Sequence, residues 1–173
     1  MKYSMSPRLK ELFTRQLEER KERNAGPAKR AGTTVKGTAL FDVQFRGEVE
    51  GHSFISDERW SSGGHDAGPA PMRYFVASVM FCHKVWTIKK AAIMGLTIDK
   101  LEGEISWFND VPTPRITYKV MLDTPHSDDD ARTIVEEGCR KCNAFKVVEK
   151  ATKIELTLIH NGQTILEKAY GLK

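Results

Sequence analysis

Cysteine is scarce in this sequence, with three in 173 residues. An odd number of thiols argues against the disulfide framework that staples small secreted domains. Cys82, Cys139 and Cys142 are left with three roles: metal binding, redox chemistry or plain burial. Long apolar runs are also missing, and none reaches the roughly 20 residues that span a bilayer. Met1-Lys2-Tyr3-Ser4 opens without the apolar stretch of a secretory signal. A soluble, cytoplasmic protein with no membrane partner is therefore expected. A second C-x-x-C is absent too. Cys139-Arg140-Lys141-Cys142 lacks the two further ligands of a zinc site, and His126 and His160 are scattered. No metal and no bound cofactor is expected.

What is present is charge, unevenly spread. The whole chain carries 27 Lys and Arg against 23 Asp and Glu. Residues 1–36 hold ten basic and four acidic residues, so the remainder is slightly acidic. A basic extension on a neutral domain can tether nucleic acid or an acidic partner. It is more commonly a solvated helix, and nucleic acid is not the expected partner.

The pattern begins with a helix over 6–24. Ser6 can cap it, Pro7 suits its first turn, and Leu9, Leu12, Phe13 and Leu17 recur at helical spacing. Asn24-Ala25-Gly26-Pro27 stops it, and residues 25–34 read as a flexible linker. This divides the chain into a basic N-terminal helix and linker, 1–34, and a domain over 35–173. Ala39–Phe45 partly alternates, as a half-buried strand does. A turn is expected at Arg46-Gly47-Glu48 and a second strand over Val49–Ser56. Ser61–Pro69 is a loop on composition.

Pro71 then opens a helix to Met94, closed by Gly95. Its stretch Tyr74–Cys82 is apolar on nearly every side, which predicts burial all round. Strands follow at Leu101–Trp107 and Arg115–Leu122, joined by the Pro-rich segment Asn109–Pro114. Ser127 caps a further helix carrying Ile134, Val135, Cys139, Cys142 and Phe145. Lys153–Ile159 and Gln163–Tyr170 form a hairpin across Asn161-Gly162. Hairpins around a central buried helix give the α+β class.

Cys82 and Cys142 lie on helices separated by two strands. If those helices pack, the thiols meet. A low-pKa thiolate beside a second thiol is the arrangement that reduces peroxides. The competing reading makes Cys82 a small hydrophobe in a core helix. His83 adjoins Cys82, but successive helical residues point apart, so a structural role is expected for it. Activation of a buried thiol needs a cation, and Arg46, Arg59 and Arg73 are the candidates from nearby elements.

The run Gly51-His52-Ser53-Phe54-Ile55-Ser56-Asp57-Glu58, then Gly63-Gly64, then Gly68-Pro69-Ala70-Pro71, resembles the osmotically-inducible-protein-C-like (OsmC/Ohr) family. In that pattern a buried helix starts after Gly-Pro-x-Pro, and its reactive cysteine falls eleven residues after the second proline. Cys82 has that spacing from Pro71. Cys142 matches the second family cysteine, late in the next long helix and before a strand. The resemblance covers about residues 38–173.

It implies an intertwined homodimer, with antiparallel sheets wrapped around two central helices and active sites at the subunit interface. It also implies a cysteine-based thiol peroxidase for organic hydroperoxides, without metal or cofactor. Cys82 would be the peroxidatic thiol and Cys142 the resolving one, with Cys139 as the other candidate for that second role. Arg46 or Arg73 would stabilise the thiolate. An external dithiol, lipoyl groups in some members, would re-reduce the disulfide. The sequence departs from the family pattern in two places. Met72-Arg73 stands where the family's helix carries a Glu, and Asn143 rather than Pro follows Cys142. These departures support the alternative of a non-catalytic dimer that binds an apolar small molecule or a thiol carrier.

Overall fold

The computed structural model describes residues 3–23, 32–109 and 114–172. The expected helix stop at 24–27 and most of the expected linker lie outside the described residues. So does the centre of the Pro-rich connection. The described chain forms two compact units. One comprises the described residues of Met1–Ala25 and Val76–Lys173, the other those of Gly26–Phe75.

The smaller unit is a three-stranded antiparallel sheet, β1 (Lys36–Phe41), β2 (Gln44–Val49) and β3 (His52–Ser56), in that order. The single strand expected through 39–45 and the turn expected at 46–48 are corrected here. The chain turns at Asp42-Val43 and again at Glu50-Gly51. Glu50 and Gly51 both take positive φ, 49° and 82°, the backbone of a two-residue type I′ hairpin. Glu-Gly is not a usual signal for that turn. Gly47, read as a turn residue, instead sits mid-strand opposite Phe54. A Cβ there would collide with the Phe54 ring, so the glycine's role is to seat an aromatic across the strand pair.

After β3, Asp57 organises the loop. Its carboxylate accepts the backbone N–H groups of Glu58 (2.8 Å), His65 (3.1 Å) and Ala67 (3.2 Å), and the Gln44 side-chain amide (3.3 Å). Burial alone would raise its pKa, but these bonds to the ionised form leave it below the ordinary value. A short 3₁₀ turn, Trp60–Ser62, lies within this loop.

The larger unit is built on a four-stranded sheet in the order β4 (Lys100–Phe108), β5 (Arg115–Asp123), β6 (Lys153–His160), β7 (Gln163–Tyr170). The α+β class stands. This sheet is mixed rather than purely antiparallel, because β5 and β6 pair in parallel. Parallel neighbours need a crossover, and α3 (Asp128–Lys141) with α4 (Asn143–Val148) supplies it. Strict alternation on β5 and β6 puts Ile116, Tyr118, Val120 and Leu122 beside Ile154, Leu156 and Leu158 on one buried face. Val79 and Ala91 of α2 (Pro71–Met94) and Ile134, Val135 and Phe145 of α3 and α4 complete that core.

Helix ends follow the sequence closely. Ser127 Oγ accepts the Asp130 N–H at 3.1 Å and starts α3. Gly95, at φ 73°, ends α2. There the Leu96 N–H returns to the Ala91 carbonyl at 2.9 Å, the long bond of a Schellman cap. α1 (Arg8–Arg23) begins at Ser6, whose Oγ accepts the Arg8 N–H at 3.3 Å. Its Leu9, Leu12, Phe13 and Leu17 are half-buried, as their spacing predicted.

Two expectations about helices change. α2 is not buried all round within this chain. Val76, Val79, His83, Thr87 and Ala91 face inward, while Met72, Phe75, Phe81 and Val85 are exposed. The helix expected to run through Cys142 breaks there instead, and α4 starts afresh at Asn143.

Candidate thiol site

The site in the larger unit starts from an absent side chain. A Cβ on Gly138 of α3 would lie 2.6 Å from Thr87 Oγ1 and 2.8 Å from His83 Nε2. No real side chain tolerates such contacts, so glycine is what lets α3 press against α2. His83 fills the contact completely buried. Its Nε2 lies 3.1 Å from the Val135 carbonyl oxygen and its Nδ1 2.9 Å from the Tyr118 hydroxyl. A carbonyl can only accept, so Nε2 carries the proton. Nδ1 then accepts from the tyrosine. Desolvation drives the His83 pKa down to about 4, opposed by the Val135 carbonyl and assisted by the Lys84 charge. His83 is a neutral strut, in line with its expected structural role.

One turn beyond Gly138 comes Cys142. It is fully buried and does two jobs at the helix junction. Its N–H closes α3 on the Gly138 carbonyl at 2.9 Å. Its sulfur accepts the Phe145 N–H at 3.3 Å and caps α4. Cys82, the residue before His83, is half-buried on α2 and reduced, as are both other thiols. Cys82 packs against the core cluster that contains Cys142, near enough to act on its thiol. Burial raises the Cys142 pKa well above an ordinary thiol, and the Cys82 sulfur adds to the effect. The two helices pack through Gly138, His83 and Thr87, on the core cluster that Cys82 and Cys142 share.

Cys139 is elsewhere. It is buried, and its thiol is pushed up to about 12, first by desolvation. Its side-chain neighbour is Tyr170, whose buried hydroxyl has no nitrogen or oxygen partner.

All three candidate arginines belong to the smaller unit, Arg59 as the residue that opens the Trp60–Ser62 turn. Arg46 lies on β2 with its guanidinium 3.0 Å from Glu48, and both side chains are half exposed. Arg73 is exposed in the first turns of α2, nine residues before Cys82 and so two and a half helical turns away along the chain. Two residues that position the thiols escaped the sequence reading. Tyr118 was seen only as one apolar position in an alternating strand, although a buried tyrosine hydroxyl usually finds a partner. Gly138 carried no signal, because a glycine inside a helical pattern reads only as a weak position.

Two free cysteines packed between helices on an α+β scaffold form the candidate site. The comparison with known families places the chain more closely. The OsmC-like protein family matches over residues 63–157, more than half of the sequence, and the chain belongs to that family. The match contains Cys82, Cys142 and the elements between them. None of the curated proteins matches the sequence.

Solved structures share the fold at low identity. The OsmC-like protein of Mycoplasma pneumoniae superposes with a TM-score of 0.67 at 12% identity, over 75% of this chain and 97% of that one. An organic hydroperoxide resistance protein OsmC from Legionella pneumophila gives 0.57 at 13%, over 76% and 98%. The organic hydroperoxide resistance protein OhrB of Bacillus subtilis gives 0.54 at 18%, over 75% and 98%. Among the described residues, no helix is long and apolar enough to cross a membrane.

Proposed function

We propose that this protein is a thiol peroxidase that reduces organic hydroperoxides through Cys82 and Cys142. The observation that carries the reading is the nearness of a half-buried thiol on α2 to a fully buried one at the α3–α4 junction. The more accessible sulfur is the one a substrate can reach. The buried sulfur is protonated and waits beside it.

The Cys82 thiolate attacks the distal peroxide oxygen and the O–O bond breaks. The alkoxide leaves and takes a proton to become the alcohol, while Cys82 becomes a sulfenic acid. Cys142 then attacks that sulfur, a disulfide forms and water leaves. An external dithiol, of lipoyl type on the family resemblance, returns both thiols. Arg46 or Arg73 would supply the cation for the thiolate on this reading. Two neighbours in fold are named for organic hydroperoxide resistance, which supports the substrate class.

The same reading makes the working form a homodimer. Met72, Phe75, Phe81 and Val85 leave apolar surface on α2 exposed in the single chain. A second copy would cover it.

The test is consumption of cumene hydroperoxide by the purified protein with dihydrolipoamide. The Cys82→Ser variant should be inactive. Cys142→Ser should turn over about once and hold a sulfenic acid that dimedone traps. Consumption no faster than in Cys82→Ser would refute the reading. It would favour a dimer that only binds an apolar molecule or a thiol carrier.

A further inference from the structure

α1 lies before the first residue that matches the family, yet it belongs to the same compact unit as the thiols. It closes one side of a cleft that α2 and α3 line from the other sides. Phe13 and Leu17 of α1 face Trp86 and Ile93 of α2 across it. The cleft is partly open to solvent and holds about 120 Å³. That is somewhat less than the dry engineered cavity of about 150 Å³ that accepts benzene, so this one takes at most a single ring, its polar end in the open side, or a short alkyl chain.

The mouth is cationic. Lys89 and Lys90 of α2 and Lys141 of α3 line it, with Glu137 as the acidic member. That acid is already held by Arg140, which donates to both carboxylate oxygens at 2.7 Å. The Lys89 ammonium stands 4.9 Å from the Phe13 ring centre and 4.9 Å from that of Trp86. The aromatic floor therefore fixes one of the cations in place. Apolar side chains beside Lys90 and Lys141 select an amphipathic anion.

We infer that the α1–α2–α3 cleft is a binding site for a small monocarboxylate with an apolar body, of the size of an aryl or short-chain acid. The site is separate from the thiol pair and does not depend on the proposed peroxidase reaction. It gives the N-terminal helix a function beyond solvation, since α1 supplies the apolar wall.

The experiment is calorimetric titration of the full chain with benzoate, benzyl alcohol and benzylamine, three ligands of nearly equal shape and different charge. Benzoate should bind saturably with a sub-millimolar dissociation constant, as its few non-hydrogen atoms allow. Benzyl alcohol should bind about tenfold more weakly, and benzylamine should not saturate. Lys90→Glu with Lys141→Glu, two surface changes, should weaken benzoate about tenfold or more. Leu17→Trp should fill the cleft and abolish binding, whereas Cys82→Ser should leave it unchanged. Should Leu17→Trp fail to fold, the charge-reversal pair carries the test alone. No saturation by benzoate up to 10 mM (roughly the weakest useful affinity on this scale) would overturn the inference. So would equal binding of benzylamine, or benzoate affinity unmoved by the charge reversal.

Discussion

Acidification should loosen the larger unit through His83, and the size of the effect follows from its surroundings. An unfolded histidine titrates near 6.5, whereas the folded His83 is held at about 4. The native state therefore excludes a proton that the unfolded chain binds. Stability is fully present above pH 6.5 and falls as pH drops from there toward 4. Linkage gives a loss of roughly 1 kcal/mol by pH 5.5 and roughly 2–3 kcal/mol by pH 4.5.

The charged groups facing the ring act in the same direction or not at all. Lys84 disfavours the imidazolium. Tyr118, pushed far above its ordinary range by burial, stays neutral. Protonating Nδ1 would also force the Tyr118 hydroxyl to give up its acceptor. The assay is urea unfolding followed by circular dichroism at several pH values between 7 and 4.5. The wild type is compared with His83→Gln, which keeps a donor for the Val135 carbonyl. Other titrating groups cancel in the difference. The wild type should lose about 2–3 kcal/mol more than the variant across that range. Parallel curves, agreeing within about 0.5 kcal/mol, would refute the reasoning.

Other consequences are as direct. Gly138→Ala should destabilise the fold by about 2–4 kcal/mol, the scale of overpacking in a rigid contact, and should slow Cys82–Cys142 disulfide formation; thermal melting and a diamide oxidation time course check both. In the folded protein a thiol reagent such as DTNB should react with Cys82 first, leaving Cys139 unmodified until urea is added, because burial holds that thiol up at about 12. Asp57→Ala should open the 58–67 loop to limited proteolysis at neutral pH. In the wild type the same loosening should appear only as pH falls below the ordinary aspartate value of about 3.9 and through the lower native one, since that carboxylate is stabilised in its ionised form. Tyr118→Phe should cost about 1–3 kcal/mol by leaving His83 Nδ1 unpaired, measured by urea unfolding.

The sequence was most legible where local chemistry and burial agree. Gly95 and Ser127 ended and began helices where their cap chemistry requires. Asn161-Gly162 turned the hairpin with both residues at positive φ. It misled where a residue served a distant partner. Gly47 reads locally as a turn but exists for the Phe54 ring opposite. Glu50 takes a left-handed backbone that its own chemistry does not advertise.

Within the site, the two thiols were legible from their places on the helices, and the break at Cys142 was not. A cysteine is not a usual cap, yet its sulfur accepts the Phe145 N–H that opens α4. The close approach of α3 to α2 depends on Gly138, which is visible only once His83 and Thr87 are on the other side. The exposed apolar surface of α2 shows the complementary limit. Periodicity reports how apolar a face is but not which molecule covers it.

Cys82 and Cys142 are sixty residues apart in the chain, and Cys142 lies in the crossover that joins the parallel strands β5 and β6. Such pairing is slow, because a long loop must close before any contact compensates. The two sulfurs can therefore become neighbours only at the end of folding, while Cys139 and Cys142 are neighbours from the moment they are made. A chain oxidised during synthesis would be drawn toward the nearer pair. On the proposed reading, a chain kept reduced until α3 and α4 have packed on α2 keeps Cys82 and Cys142 available to each other.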